Sequence, residues 1–131
     1  MPTLGRILVV DDEADTVSLI ELTLTQVGYD VESVMGGEEA LKRLESDRFD
    51  VVLLDIMMPE VSGFEVLTRL RAAPKPAPPV IILTARGRAE DRERGKILGA
   101  AAYLVKPVAR GVLLDSVQKA MGNAAHPNAA A

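Results

Sequence analysis

Five short apolar segments recur along the chain, each followed by a helix-like stretch, and this alternation constrains the fold more than any other feature. They are RILVV (Arg6–Val10), DVESV (Asp30–Val34), VVLL (Val51–Leu54), VIILT (Val80–Thr84) and AYLV (Ala102–Val105). RILVV, VVLL and VIILT read as near-continuous Val/Ile/Leu runs, as parallel strands covered on both faces require. DVESV alternates between polar and apolar residues, which predicts an edge strand. Repeated β–α order predicts right-handed crossovers that lay helices on both faces of one sheet.

The intervening segments carry helical spacing. Ala14–Val27 places Val17, Ile20, Leu24 and Val27 on one stripe, and Gly28 stands where a left-handed C-terminal residue is expected. Glu38–Ser46 carries Ala40, Leu41 and Leu44; Gly63–Arg71 carries Phe64, Leu67 and Leu70. Arg88–Leu98 is charged almost throughout, so its scarce apolar contacts imply low local stability. Arg110–Met121 carries Leu113, Leu114, Val117 and Met121, with Gly122 as its expected stop. Five units of this kind fit a single α/β domain, doubly wound and flavodoxin-like, with strand order 2-1-3-4-5. Its expected extent is 5–121, with 122–131 a disordered tail or the start of a linker.

Composition excludes several classes. At 131 residues, 48% hydrophobic and 26% charged, the chain has the balance of one globular domain. A net charge of −4 with interspersed signs argues against direct nucleic-acid binding. The absence of cysteine removes disulfides and thiolate metal sites. No stretch approaches the ~18–20 apolar residues that span a bilayer, and the N-terminal apolar run is too short for a signal peptide, so a cytoplasmic protein is expected.

In a sheet of this order, ligands gather at the carboxyl ends of the strands, near the switch point. The residues there are Asp11 and Asp12 after the first strand and Asp55 after the third. Thr84 ends the fourth strand, and Lys106 with Pro107 follows the fifth. Carboxylates about 5 Å apart repel by ~3 kcal/mol per pair at an effective dielectric near 20, so the cluster requires protonation, pairing or a cation. Oxygen donors without His or Cys suit a hard cation such as Mg²⁺. A carboxylate nucleophile beside a dication, a lysine and a hydroxyl is suited to phosphoryl transfer.

The motifs LVVDDE, LLDIMMPEVSG, ILTA and YLVKP, in this order over roughly Gly5 to Met121, resemble the receiver domain of two-component response regulators. That resemblance implies a phosphorylation switch rather than an enzyme with a turnover substrate. Asp55 would accept a phosphoryl group from a histidine kinase or a phosphotransfer protein. Asp12, Asp55 and the backbone carbonyl of Met57 would hold Mg²⁺, or Mn²⁺ in its place, with Asp11 acting through a water. Lys106 would pair with the Asp55 carboxylate and then with the phosphoryl group, Thr84 would contact a phosphoryl oxygen, and small Ala85 would keep the entrance open. Tyr103 would act with Thr84 as the switch pair, and the Lys106–Pro107 peptide would be cis. The output is left open, as is the choice between a monomer and a phosphorylation-dependent dimer through the last two helices and strand.

The chain departs from the resemblance at Ala109, where a capping Asp or Asn is usual, and Gly111 lies in the first turn of the last helix. Glu13 reads as a solvated loop residue. Asp15, Leu19 and Leu22 lie roughly opposite the apolar stripe of the first helix and are the candidate kinase-docking face. Three alternatives stand beside the receiver reading. A haloacid-dehalogenase-type phosphatase also uses Asp, Mg²⁺ and Lys, but Asp55-Ile56-Met57 lacks its second acid. A nucleotide-binding module would need a Gly-rich loop where DDEAD stands. A pseudo-receiver serving only as an interaction domain is opposed by the intact five-residue set.

Overall fold

A computed structural model describes residues 3–125. The strands are β1 (Arg6–Val10), β2 (Asp30–Val34), β3 (Val51–Leu54), β4 (Val80–Thr84) and β5 (Ala102–Val105), each followed by a helix. The helices are α1 (Ala14–Val27), α2 (Gly37–Ser46), α3 (Gly63–Ala72), α4 (Ala89–Ile97) and α5 (Arg110–Ala125). All strand pairs are parallel, in the order β2-β1-β3-β4-β5. The expected order and strand bounds are therefore those observed.

Strand period explains why the central segments are apolar at every position. Ile7, Val9, Val51, Leu53, Ile81 and Leu83 face one layer with Val17, Ile20 and Leu24 of α1 and Leu113 and Val117 of α5. Leu8, Val10, Val52, Leu54, Val80 and Ile82 face the other, with Ala40 and Leu44 of α2 and Phe64, Val66, Leu67 and Leu70 of α3. Burying each such aliphatic side chain contributes about 1.5–3 kcal/mol relative to exposure, so both faces of the sheet are tightly determined.

Helix ends follow local chemistry, with two departures from the sequence expectations. Gly28 adopts φ 117 and its N–H reaches the carbonyls of Leu24 and Thr25, a left-handed end that closes α1. Val27, expected in the buried stripe, is the last residue of α1 and is 38% exposed. Helix α5 runs on through Gly122 to Ala125, past its expected stop. Gly122 has no positive φ, and a glycine ends a helix only when it takes the left-handed conformation. The remainder of the expected tail, residues 126–131, lies outside the described residues.

The start of α5 is its weak point. Ala109 offers no side-chain oxygen, the first helical hydrogen bond runs from the Leu113 N–H to the Ala109 carbonyl (3.0 Å), and Gly111 faces open space. Gly111→Ala is expected to raise stability by about 1 kcal/mol in chemical denaturation, because Ala removes unfolded-state freedom without meeting a neighbour. An unchanged or lowered midpoint would show that the first turn does not limit the helix.

Candidate functional site

Register brings the acids together. Val10 pairs with Leu54 across β1 and β3, so Asp11 and Asp55 each stand one residue beyond a matched pair. The Asp55 N–H donates to the Val10 carbonyl (3.0 Å) and the Asp11 N–H to the Val34 carbonyl (3.1 Å), which holds both backbones to the sheet rim. On the far side Thr84 pairs with Val105, so Lys106 follows directly at the same edge, and its N–H donates to the Thr84 carbonyl (2.8 Å). The Lys106–Pro107 peptide is cis.

Side chains from β1, β3 and β5 then converge. Asp11 and Asp55 are 2% and 4% exposed, while Asp12 is half-buried. One carboxylate oxygen from each of Asp11, Asp12 and Asp55 lies within 4.8 Å of the other two. Lys106 Nζ donates to Asp11 Oδ2 (2.7 Å), Asp55 Oδ2 (3.1 Å) and Glu13 Oε1 (3.1 Å). The turn amides complete the acceptors: Glu13 N–H donates to Asp11 Oδ1 (3.0 Å) and Met57 N–H to Asp55 Oδ1 (2.9 Å). No buried side-chain nitrogen or oxygen among the described residues lacks a partner.

Burial pushes the Asp11 carboxyl above the ordinary carboxylate range, against the downward pull of the Lys106 hydrogen bond. At Lys106, burial disfavours the ammonium, but its hydrogen bonds to Asp11 and Asp55 outweigh this and raise its pKa above the usual lysine value. The ammonium is thus the fixed charge of the site. It cannot balance three acids, and the clustered oxygens are a hard donor set with the character that Mg²⁺ takes.

Close packing holds the acceptor loop. A side chain at Gly63 would overlap the Asp55 carbonyl oxygen and the Ile56 Cα, so only glycine lets α3 begin against this backbone. Ser62 caps α3 by accepting from the Glu65 N–H (3.3 Å). Glu60 turns the loop with φ 64. Beyond Asp55, Ile56 and Met58 are buried, whereas Met57 is 48% exposed and stands at the rim.

Thr84 is fully buried, and its Oγ1 accepts from the Arg86 N–H (3.4 Å); among the described residues it forms no hydrogen bond to the acids. Tyr103 is half-buried and donates its hydroxyl to the Arg86 carbonyl (2.6 Å), while Ala85 is exposed. Arg86 itself grips buried Asp91 of α4 through Nε (2.6 Å) and Nη2 (3.1 Å). Helix α4 buries only Asp91 and Gly95. It is fastened by arginines instead: Arg92 lies over the Tyr103 ring, Arg94 over the Phe64 ring, and Arg71 donates to the Leu98 and Gly99 carbonyls.

Glu13 is a solvated loop residue as read from the sequence, 63% exposed, and its carboxylate in addition accepts from Lys106 Nζ. Neither Asp11 nor Asp12 caps α1; Glu13 occupies that position without a capping hydrogen bond. The Arg86–Asp91 pair carries no sequence signal, because nothing in the spacing of two charges five residues apart across a loop marks a contact. On α1, Leu19 and Leu22 are 66% and 55% exposed and Asp15 is exposed, as expected of the outer face.

The family model of the response regulator receiver domain matches residues 7–118. The chain is 43% identical over 102 residues to the alkaline phosphatase synthesis transcriptional regulatory protein PhoP of Bacillus subtilis, covering 78% of this chain and 42% of that protein. It is 41% identical over 125 residues to the phosphate regulon transcriptional regulatory protein PhoB of Rhizobium meliloti, covering 95% and 55% respectively. Among solved structures, a CheY-like receiver domain protein from Methanospirillum hungatei superposes with TM-score 0.87 at 28% identity, over 96% of this chain and 100% of that one. The chemotaxis response regulator CheY4 of Vibrio cholerae gives 0.81 at 35% identity, over 90% and 99%.

The chain belongs to the response regulator receiver domain family. It is a two-component signalling receiver whose acidic pocket fits a phosphoacceptor site, and the phosphatase alternative is not favoured. It spans about half the length of the curated relatives it matches. No helix among the described residues is long and apolar enough to cross a membrane.

The electrostatics of the pocket can be tested without any phosphodonor. Asp12 brings a third carboxylate within 4.8 Å of two buried ones and, among the described residues, makes no side-chain hydrogen bond of its own. Asp12→Asn is expected to stabilise the cation-free protein by about 1 kcal/mol in urea denaturation with chelator present, by removing like-charge repulsion. Adding Mg²⁺ should then stabilise the wild type more than the variant. A variant that loses stability in chelator would show that Asp12 is held by attraction rather than opposed by repulsion.

Proposed function

We propose that Asp55 is the phosphoacceptor of a cytoplasmic switch that takes its phosphoryl group from a histidine kinase or a phosphotransfer protein. The observation that carries this reading is the position of the Asp55 carboxylate: held at a strand tip, paired with Lys106 Nζ at 3.1 Å, and clustered with the oxygens of Asp11 and Asp12. Buried β3 fixes the nucleophile, and the Met57 N–H and Lys106 ammonium orient its two oxygens.

In the transfer, a carboxylate oxygen of Asp55 forms the new O–P bond as the P–N bond to the donor imidazole breaks. The departing nitrogen keeps the bonding electrons, and the proton already on the other ring nitrogen lets the imidazole leave as a neutral base. Lys106 is already at the acceptor and moves its ammonium onto a phosphoryl oxygen as charge leaves the Asp55 carboxylate. Asp12, Asp55 and the Met57 carbonyl would hold Mg²⁺ or Mn²⁺, with Asp11 acting through a water. When bound, that cation neutralises charge on the phosphoryl oxygens. The chain thereby assists its own phosphorylation and dephosphorylation, with no separate turnover substrate.

Thr84 and Tyr103 are the proposed switch pair. A hydroxyl drawn toward the phosphoryl group gives up the Arg86 N–H, and the Arg86 carbonyl is where the Tyr103 hydroxyl is bound. Loosely packed α4 lies next along this path. Incubation with acetyl phosphate and Mg²⁺ should add one phosphoryl group to the wild type by intact mass, and none to Asp55→Asn. Label persisting in the variant would refute the acceptor assignment. In the same samples the α4 amides should exchange hydrogen differently with and without label; identical exchange would end the switch assignment.

Asp15, Leu19 and Leu22 form the proposed docking face on α1 for a helical partner. Their support is the exposure of two large apolar side chains on the helix that begins beside the acceptor. Leu22→Glu should slow transfer from the cognate kinase about ten-fold relative to the rate with acetyl phosphate, the scale of one lost apolar anchor. Equal slowing with both donors, or none with either, would remove this face from the interface.

A further inference from the structure

Glu13 stands where a capping side chain would stabilise α1, in extended conformation (φ −96, ψ 106), yet it makes no capping hydrogen bond. Its N–H is tied to Asp11 Oδ1 (3.0 Å), which fixes its backbone beside the acid cluster. Its carboxylate instead meets Lys106 Nζ at 3.1 Å, the same ammonium that contacts Asp11 Oδ2 at 2.7 Å and Asp55 Oδ2 at 3.1 Å. Of these three acids, Asp11 and Asp55 belong to the clustered oxygens that suit a dication, whereas Glu13 lies outside that set.

We infer that Glu13 is a positioning residue that retains the Lys106 ammonium at the rim when a divalent cation draws on Asp12 and Asp55 directly and on Asp11 through a water. The inference rests on the reading of this cluster as the cation and acceptor site. Lys106 and a dication seek the same oxygens, and two cations cannot share them without repulsion. Without Glu13, an ammonium displaced from Asp11 has only water or the cation's own ligands to turn to. With Glu13, it keeps one carboxylate of its own and stays within reach of the acceptor. The side chain of Glu13 is 63% exposed, so it can follow the ammonium without repacking the core.

The test is Mn²⁺ binding to the 131-residue chain, read from the electron paramagnetic resonance signal of free Mn²⁺ in the absence of phosphodonor. Glu13→Gln is expected to weaken Mn²⁺ binding about two- to five-fold, the scale of a partly exposed ion pair. The same substitution in a Lys106→Ala background should have an effect near unity, because the residue it positions is gone. An equal loss in both backgrounds would mean that Glu13 acts on the cation through space, and would overturn the inference. So would unchanged or tighter binding of Glu13→Gln. Failure of the wild type to bind Mn²⁺ would remove the underlying site reading and this inference with it, whereas wild-type binding indifferent to Glu13 defeats this inference alone.

Discussion

A single ammonium neutralises an edge that would otherwise carry only acid. Lys106 reaches Asp11, Asp55 and Glu13 from the end of β5, and it alone among the described cations contacts the cluster. Burial gives the contacts with Asp11 and Asp55 their strength, since the low-dielectric rim penalises every unpaired charge. The same burial makes the arrangement incomplete, because three clustered acids exceed what one lysine balances. An under-neutralised, oxygen-rich pocket is the physical basis for expecting a cation there, and only with that cation bound does the pocket suit an anionic phosphoryl group. The register of β1 against β3 and of β4 against β5 places its members side by side.

The rest of the molecule divides by how it is held together. The sheet and the helices α1, α2, α3 and α5 are fixed by two apolar layers in which most central positions are fully buried. Helix α4 contributes almost nothing to either layer and is tied by guanidinium groups to a carboxylate, two aromatic faces and two carbonyls. Apart from the partly buried Arg86–Asp91 pair, these are exposed cation–π contacts and hydrogen bonds that are individually weak, so α4 is held less firmly than the helices packed into the two apolar layers. Rigid packing around the acceptor and loose packing at α4 suit a domain that senses charge at one edge and reports it along the neighbouring helix.

Much of the fold was legible because its determinants are local and repetitive. Five apolar runs, helical stripes such as Ile20 and Leu24, and the left-handed glycine at Gly28 each depend on residues close in sequence. The site was legible for a different reason. Strand ends of a parallel sheet must meet at one edge, so Asp11, Asp55, Thr84 and Lys106 could be assigned to that edge before any distance was known. Where a stop signal depends on conformation rather than composition, as at Gly122, residue type misled: the helix passes through it because that glycine never turns left-handed.

By itself, the sequence determined the strand order's raw material, the acids at the sheet's rim and the oxygen-only character of the donor set, since all three follow from residue type and period. Only the tertiary structure decided which acids share Lys106, that Glu13 is one of them, that Val27 escapes the core and that Arg86 holds Asp91 with its guanidinium and the Tyr103 hydroxyl with its backbone carbonyl. These outcomes turn on side-chain reach and on where each helix ends against the sheet. The contacts of Lys106 with Glu13 and of Tyr103 with Arg86 join segments distant in the chain. Even the nearby Arg86–Asp91 pair depends on how the loop folds, which residue type and period do not encode.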